Sequence, residues 1–231
     1  MEYGVSFKDS FSMLHFKLDK GESVIAGSGA MVYMDPGIKV EPFLKGGLFS
    51  SITRKLFGKE SAFLNKYKSF VDSSELGIVS NTSLGSISET VLSLDSYPIK
   101  VRPGGFLAAW EDSEGSVEIE GSVGGFRTYF GMEGFEFLKI RGTGLVFISG
   151  FGGIYRKDLG GNELIVDTGH VLAYTENLDF ELKAVGGVKS TLFSGEGVVC
   201  KFRGVGSVWI QSRSYSGFFE FLRKSLFGEK K

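Results

Sequence analysis

Three stretches of this chain carry the same landmarks in the same order, and that recurrence limits the fold more than any other feature. GSGAMVYM from Gly27, PGGFLAAW from Pro103 and DTGHVLAY from Asp167 each place a glycine third and follow it with a mostly apolar run. Gly29, Gly105 and Gly169 are the matching glycines. Each stretch leads into an alternating segment: IKVE from Ile38, VEIE from Val117 and LDFEL from Leu178. A double glycine follows at Gly46–Gly47, Gly124–Gly125 and Gly186–Gly187, which lies 18, 20 and 18 residues beyond the turn glycine. A fixed period of this kind marks one supersecondary unit used repeatedly.

The likeness runs on. LFGKESAFL from Leu56, YFGMEGFEF from Tyr129 and LFSGEGVVC from Leu192 align without gaps. They bring Glu60, Glu133 and Glu196 to one position. RGTGLVFIS from Arg141 then matches RGVGSVWIQ from Arg203, and the first third has only SSELGIVSN from Ser73 in that place. The chain divides into three units of one domain, about 1–90, 91–155 and 156–231.

The units read as strands. HFKL at 15–18, IKVE, VEIE and DFEL at 179–182 alternate with period two, so one face packs and the other meets water. Glycine is abundant at 34 of 231 residues, and it marks tight turns between short strands. The expectation is an all-β, barrel-like body of three pseudo-threefold repeats with one or two short helices. A single unit is too small to close a core, and three stacked units bury a continuous one. Segment 50–59 has Ile52, Leu56 and Phe57 at helical spacing. Segment 216–231 groups Phe218, Phe219, Leu222, Leu226 and Phe227, with Gly228 as a C-terminal stop.

The segment ESVIAGSGAMVYMDPGIKVE with GGLFSSITRKLFGKESAFLNKY resembles the opening of the AIM (altered inheritance of mitochondria) family. NELIVDTGHVLAYTENLDFEL and GEGVVCKFRGVGSVWIQSRS resemble its closing third. Segment 68–96 departs most from the family pattern. The resemblance implies a fold like the tryptophan RNA-binding attenuation protein, a short double-stranded β-helix in triplicate. It also implies a homo-oligomer, with a trimer favoured, and an association with membrane organisation. It supplies no catalytic residue.

The residues agree with a chain that carries no reaction machinery. His15 and His170 are the two histidines and sit in different units, which is too few for a clustered metal site. Cys200 lies in an apolar strand sequence, so no disulfide framework and no activated nucleophile is expected. Short glycine patterns such as GTG and GVG lack the strand–loop–long-helix setting of a phosphate site. No cofactor is expected. The 26 basic and 27 acidic residues give a net charge of −1, which argues against nucleic acid as a partner. No stretch reaches the roughly 18 apolar residues of a membrane span, and the start, MEYGVSFKDSF, lacks the signal-peptide pattern, so a cytoplasmic location is expected.

Two sets of residues stand out. Glu60, Glu133 and Glu196 read as carboxylates that accept backbone N–H bonds in each unit's turn, or as three ligands gathered on a pseudo-axis. Arg54 and Lys55 on the first helical segment, and Phe218, Phe219, Arg223 and Lys224 on the second, form the basic and apolar pattern of a surface that docks on an anionic membrane or a protein partner. The competing reading packs the apolar faces on the body and leaves the charges in water. The two function classes carried forward are an oligomeric β-scaffold, peripheral to a membrane, and a binding module for a small ligand or RNA.

Overall fold

A computed structural model describes residues 1–8, 10–43, 64–80, 83–102, 104–113, 115–123, 136–184 and 198–228. Among these described residues seventeen strands and one helix follow in chain order. The first group is β1 (Glu2–Ser6), β2 (Met13–Leu18), β3 (Ser23–Gly27), β4 (Met31–Met34), β5 (Ile38–Phe43), β6 (Leu64–Ser69) and β7 (Ser74–Ile78). The second is β8 (Ile87–Leu92), β9 (Ile99–Val101), β10 (Phe106–Glu111), β11 (Val117–Val123), β12 (Glu136–Gly142) and β13 (Gly144–Ser149). The last is β14 (Ile154–Asp167), β15 (Val171–Thr175), β16 (Asp179–Ala184), β17 (Val198–Gln211) and the helix α1 (Tyr215–Phe227).

The alternating segments fold as the strands their period demands. IKVE lies in β5, VEIE in β11 and DFEL in β16. Each forms an antiparallel pair with the next strand in sequence, β5 with β6, β11 with β12 and β16 with β17. The apolar runs after the turn glycines become β4, β10 and β15. The turns before them close with Ala30 N–H to Gly27 O, Gly105 N–H to Arg102 O and His170 N–H to Asp167 O. These bonds correct the sequence register in the middle third. Gly104 at φ 79°, rather than Gly105, matches Gly29 at φ 80°. A β-bulge, at Val32, Leu107 and Leu172, then falls three residues after Gly29, Gly104 and Gly169. With two adjacent glycines, only the geometry identifies which one takes the left-handed conformation.

The strands form three antiparallel sheets. The first has the order β1-β2-β7-β4, the second β5-β6-β3-β10-β13-β8, and the third β11-β12-β9-β15-β17-β14 with β16 also on β17. Within the second sheet β3 pairs with β10, which links the first third of the chain to the middle third, and within the third sheet β9 pairs with β15, which links the middle third to the last. The expected barrel-like body is therefore corrected: the sheets stay open, and β4 pairs with β7 alone while β14 pairs with β17 alone among the described residues. The drawn unit boundaries at 90 and 155 fall inside β8 and β14.

Apolar side chains fill three clusters. Leu14, Phe16, Val24, Ala26, Leu76 and Phe147 form one. Ile25, Val101, Ala109, Leu138, Val146 and Trp209 form the second. Tyr174, Cys200, Phe202 and Val208 belong to the third. Val24 and Ala26 point into the first cluster and Ile25 into the second, so β3 is covered on both faces. That is why its sequence, SVIAG, is an unbroken small and apolar run. A buried ion pair, Lys66 Nζ to Glu111 Oε2 at 2.8 Å, ties β6 to β10.

Candidate functional site

The end of β17 leads straight into α1, and the junction is built from named contacts. Ser214, in extended conformation, accepts a hydrogen bond on its hydroxyl from Gly217 N–H at 3.3 Å and caps the helix. Gly228 at φ 70° ends it, with its N–H on Lys224 O at 3.0 Å. The first turn is anchored by aromatic rings. Tyr215 stacks on Phe151 with centroids 4.9 Å apart, and Phe218 meets the same ring edge-on at 5.2 Å. The Arg102 guanidinium lies over Tyr215 and donates to Gly169 O at 3.3 Å. Its burial lowers its pKa from the usual guanidinium value.

Beyond that anchor the helix leaves the body. None of its residues is buried. Phe219, Phe221, Leu226 and Phe227 are 62–81% exposed. A face with so much uncovered aromatic surface differs from the sealed stripe of a helix packed on a core. Arg223 is exposed on the same helix, and Lys224 pairs with Glu220 one turn back at 3.0 Å. That exposed pair costs little to open. The structure thus brings Phe219, Arg223 and Lys224 together on one projecting element, while Phe218 serves as part of its anchor. Arg54, Lys55, Glu60, Glu133 and Glu196 lie outside the described residues. Sequence reasoning missed Tyr215, Phe151 and Arg102 as the anchor. Only Tyr215, next to the serine cap, carried a local signal.

A second feature lies on the outer face of the first sheet. A cleft of about 380 Å³ is lined by Glu2, Tyr3, Ser6, His15, Tyr33 and Glu75, among others. His15 Nδ1 is 2.9 Å from the Tyr33 hydroxyl and Nε2 is 2.9 Å from Ser6 Oγ. Both ring nitrogens are therefore occupied by neutral partners. Burial first, and then Glu75 and Asp35, raises the Tyr33 pKa. A neutral phenol does not stabilise an imidazolium as a carboxylate does, so this row is a poor base for activating Ser6. His170 is taken up locally too, with Nδ1 2.8 Å from Gln211 O. Among the described residues no three His, Cys, Asp or Glu side chains gather as metal ligands. Among them also no helix is long and apolar enough to cross a membrane.

Comparison with known proteins places the whole body in one group. A family model described as mitochondrial biogenesis AIM24 matches residues 3–213. An uncharacterized protein of Streptococcus pyogenes serotype M6 is 28% identical over 232 residues, covering 98% of this chain and 91% of that protein. The crystal structure of a Streptococcus pyogenes protein is similar at a TM-score of 0.74 and 27% identity, over 97% of this chain and 99% of that one. The family match ends just before α1 begins.

Proposed function

From the premise that the chain belongs to the mitochondrial biogenesis AIM24 family, we propose that it is a non-catalytic, oligomeric β-scaffold that docks on an anionic membrane surface through α1. The scaffold is three copies of one unit in a pseudo-threefold arrangement like that of the tryptophan RNA-binding attenuation protein. The recurring hairpins, i→i+3 turns and bulges support that reading. The non-catalytic reading is supported by the two neutral hydrogen-bond partners of His15 and by the buried Cys200. A cytoplasmic location, peripheral to the membrane, accords with a docking helix rather than a spanning one.

One observation carries the docking: α1 holds Phe219, Phe221, Leu226 and Phe227 in water beside Arg223 and Lys224. Burying each apolar side chain in the acyl boundary contributes about 1.5–3 kcal/mol, and each cation near an anionic surface about 1 kcal/mol. Ordering and lost translational freedom remove much of this sum. One helix therefore binds weakly and reversibly, and an oligomer presenting several helices binds by avidity.

The test is vesicle flotation of the intact protein and of a form lacking residues 216–231. The intact protein is expected to float with phosphatidylserine-containing vesicles, less so at high salt, and the truncated form to stay in the load fraction. An intact protein that never floats on anionic vesicles overturns the proposal. The second reading, a module for a small polar ligand or RNA, rests on the cleft at His15. A thermal-shift screen against metabolites and oligonucleotides addresses it.

A further inference from the structure

Two strand edges in this fold stop where their counterparts are paired. Counted from the turn glycines Gly29, Gly104 and Gly169, Tyr33 corresponds to Ala108 and Ala173, and Val166 to Ala26 and Val101. The two internal junctions use these positions in one register. In the first, Ala108 faces Ala26, Ala109 faces Ile25 and Trp110 faces Val24. In the second, Ala173 faces Val101, Tyr174 faces Lys100 and Thr175 faces Ile99. A third junction of the same kind would join β4 to residues 163–167 of β14, and no such pairing forms among the described residues.

Exposure records the missing partner. Val32 is 51% exposed, while its counterparts Leu107 and Leu172 are 2% and 1% exposed. Met31 and Met34 are exposed where Phe106, Ala109, Val171 and Tyr174 are buried. On the other edge Ile165 is 62% exposed, while its counterparts are Ile25, fully buried, and Lys100, half-buried. No lysine or proline lies within Met31–Met34 or Leu164–Val166; Pro36 closes the first edge just past Asp35, and Glu163 and Asp167 flank the second, so the free stretch is short. The apolar side chains are those of a buried junction, and no described strand covers them.

We infer that a second copy of this chain covers each edge: β4 of one molecule adds antiparallel to residues 163–167 of β14 of the next. This rests on the three-unit scaffold reading and names the surface by which the scaffold assembles. Both internal junctions give the same intermolecular register, with Tyr33 opposite Val166, Met34 opposite Ile165 and Asp35 opposite Leu164. The contact joins two different surfaces, so copies add head to tail and the assembly ends as a closed ring or an open filament. The occupant is another copy because the counterparts of these two edges already pair with one another inside the chain, twice and in one register.

Cross-linking of cysteine variants tests the register. Directly opposed residues in an antiparallel ladder have Cα atoms about 4.5–5.5 Å apart, within the span of a disulfide. Met34→Cys and Ile165→Cys proteins are expected to form a covalent heterodimer when mixed and oxidised, and neither alone to cross-link at a comparable rate. The native thiol, Cys200, is buried and does not compete. Ile165→Lys and Val32→Lys are each expected to reduce the solution mass to that of one 25.2 kDa chain, with an unchanged circular dichroism spectrum.

Three results overturn the inference: no heterodimer above the single-variant background, a double variant that closes its disulfide within one chain, or a wild type that sediments as a monomer at high micromolar concentration. A variant that loses its spectrum is set aside in favour of the other edge. Flotation reads α1 separately. A monomeric protein that still floats refutes the edge pairing alone, and an assembled protein that never floats refutes the docking alone.

Discussion

Replacing Glu111 by glutamine removes a charge from a place where water reaches poorly. The Glu111 side chain is 1% exposed and its partner Lys66 is 12% exposed, with Nζ and Oε2 2.8 Å apart. The pair spans β3 from β6 to β10, joining the first third of the chain to the middle third. At an effective dielectric constant of about 20, the attraction at this distance is about 6 kcal/mol. Desolvation of the two ions offsets most of it while both are present. With the carboxylate gone the ammonium keeps its desolvation penalty and loses this attraction. Truncating one partner of a buried pair costs about 3–5 kcal/mol when the other charge is left uncompensated; Lys66 is 12% exposed and keeps another contact, which places Glu111→Gln at the low end, about 3 kcal/mol. For a chain of this size that lowers the melting temperature by about 6–12 °C. Glutamine retains one oxygen for the Gly115 N–H that Glu111 Oε1 accepts at 2.9 Å and turns its NH2 donor toward the Lys66 ammonium, so the charge and the acceptor for Lys66 are lost together. Lys66→Met/Glu111→Leu removes both ions and is expected within about 1 kcal/mol of wild type, because apolar replacement of a buried pair is often neutral. Urea unfolding followed by fluorescence of Trp110 and Trp209 measures all of these. A single variant costing under about 1 kcal/mol, or a double variant costing the sum of the singles, refutes the reasoning.

Two further outcomes follow from titrating groups. Burial first, and then Asp167, pushes the Cys200 thiol up to about 12, so at pH 8 only about one thiol in ten thousand is thiolate. Ellman's reagent is expected to leave the native protein unlabelled for hours and to label one thiol per chain in denaturant, and rapid native labelling contradicts the burial. Glu163, held by hydrogen bonds from Lys201 and Arg203, is lowered from 4.5 to about 2. A depressed carboxylate stabilises fully above its ordinary value and loses that contribution as pH falls through its folded value. The melting-temperature gap between wild type and Glu163→Gln is therefore expected to narrow from pH 4.5 downward and to close near pH 2, and a gap independent of pH refutes the link.

Much of the local structure was legible. The alternation of IKVE, VEIE and DFEL is a two-residue signal, and each of these segments forms a strand of an antiparallel pair. Gly228 is local punctuation for α1 and the structure uses it, while the helix begins at Tyr215 with its cap at Ser214, just before the expected start at 216. The register of the middle third was not legible, because Gly104 and Gly105 offer the same residue type and only the turn bond at Arg102 separates them. The candidate site was half legible. The apolar and basic pattern of residues 218–227 can be read from spacing, but whether that face meets the body is a matter of where Phe151 stands.

The order of residues alone determined which segments extend, where they turn and which of them resemble one another, because those preferences act over a few neighbouring positions. The packing of distant segments decides that β3 and β10 are covered on both faces while no described strand of the same chain covers the free edge of β4, of similar character. Coverage of a strand depends on what arrives beside it from tens of residues away, and side chains as alike as Val32 and Leu172 carry no mark of whether that neighbour comes.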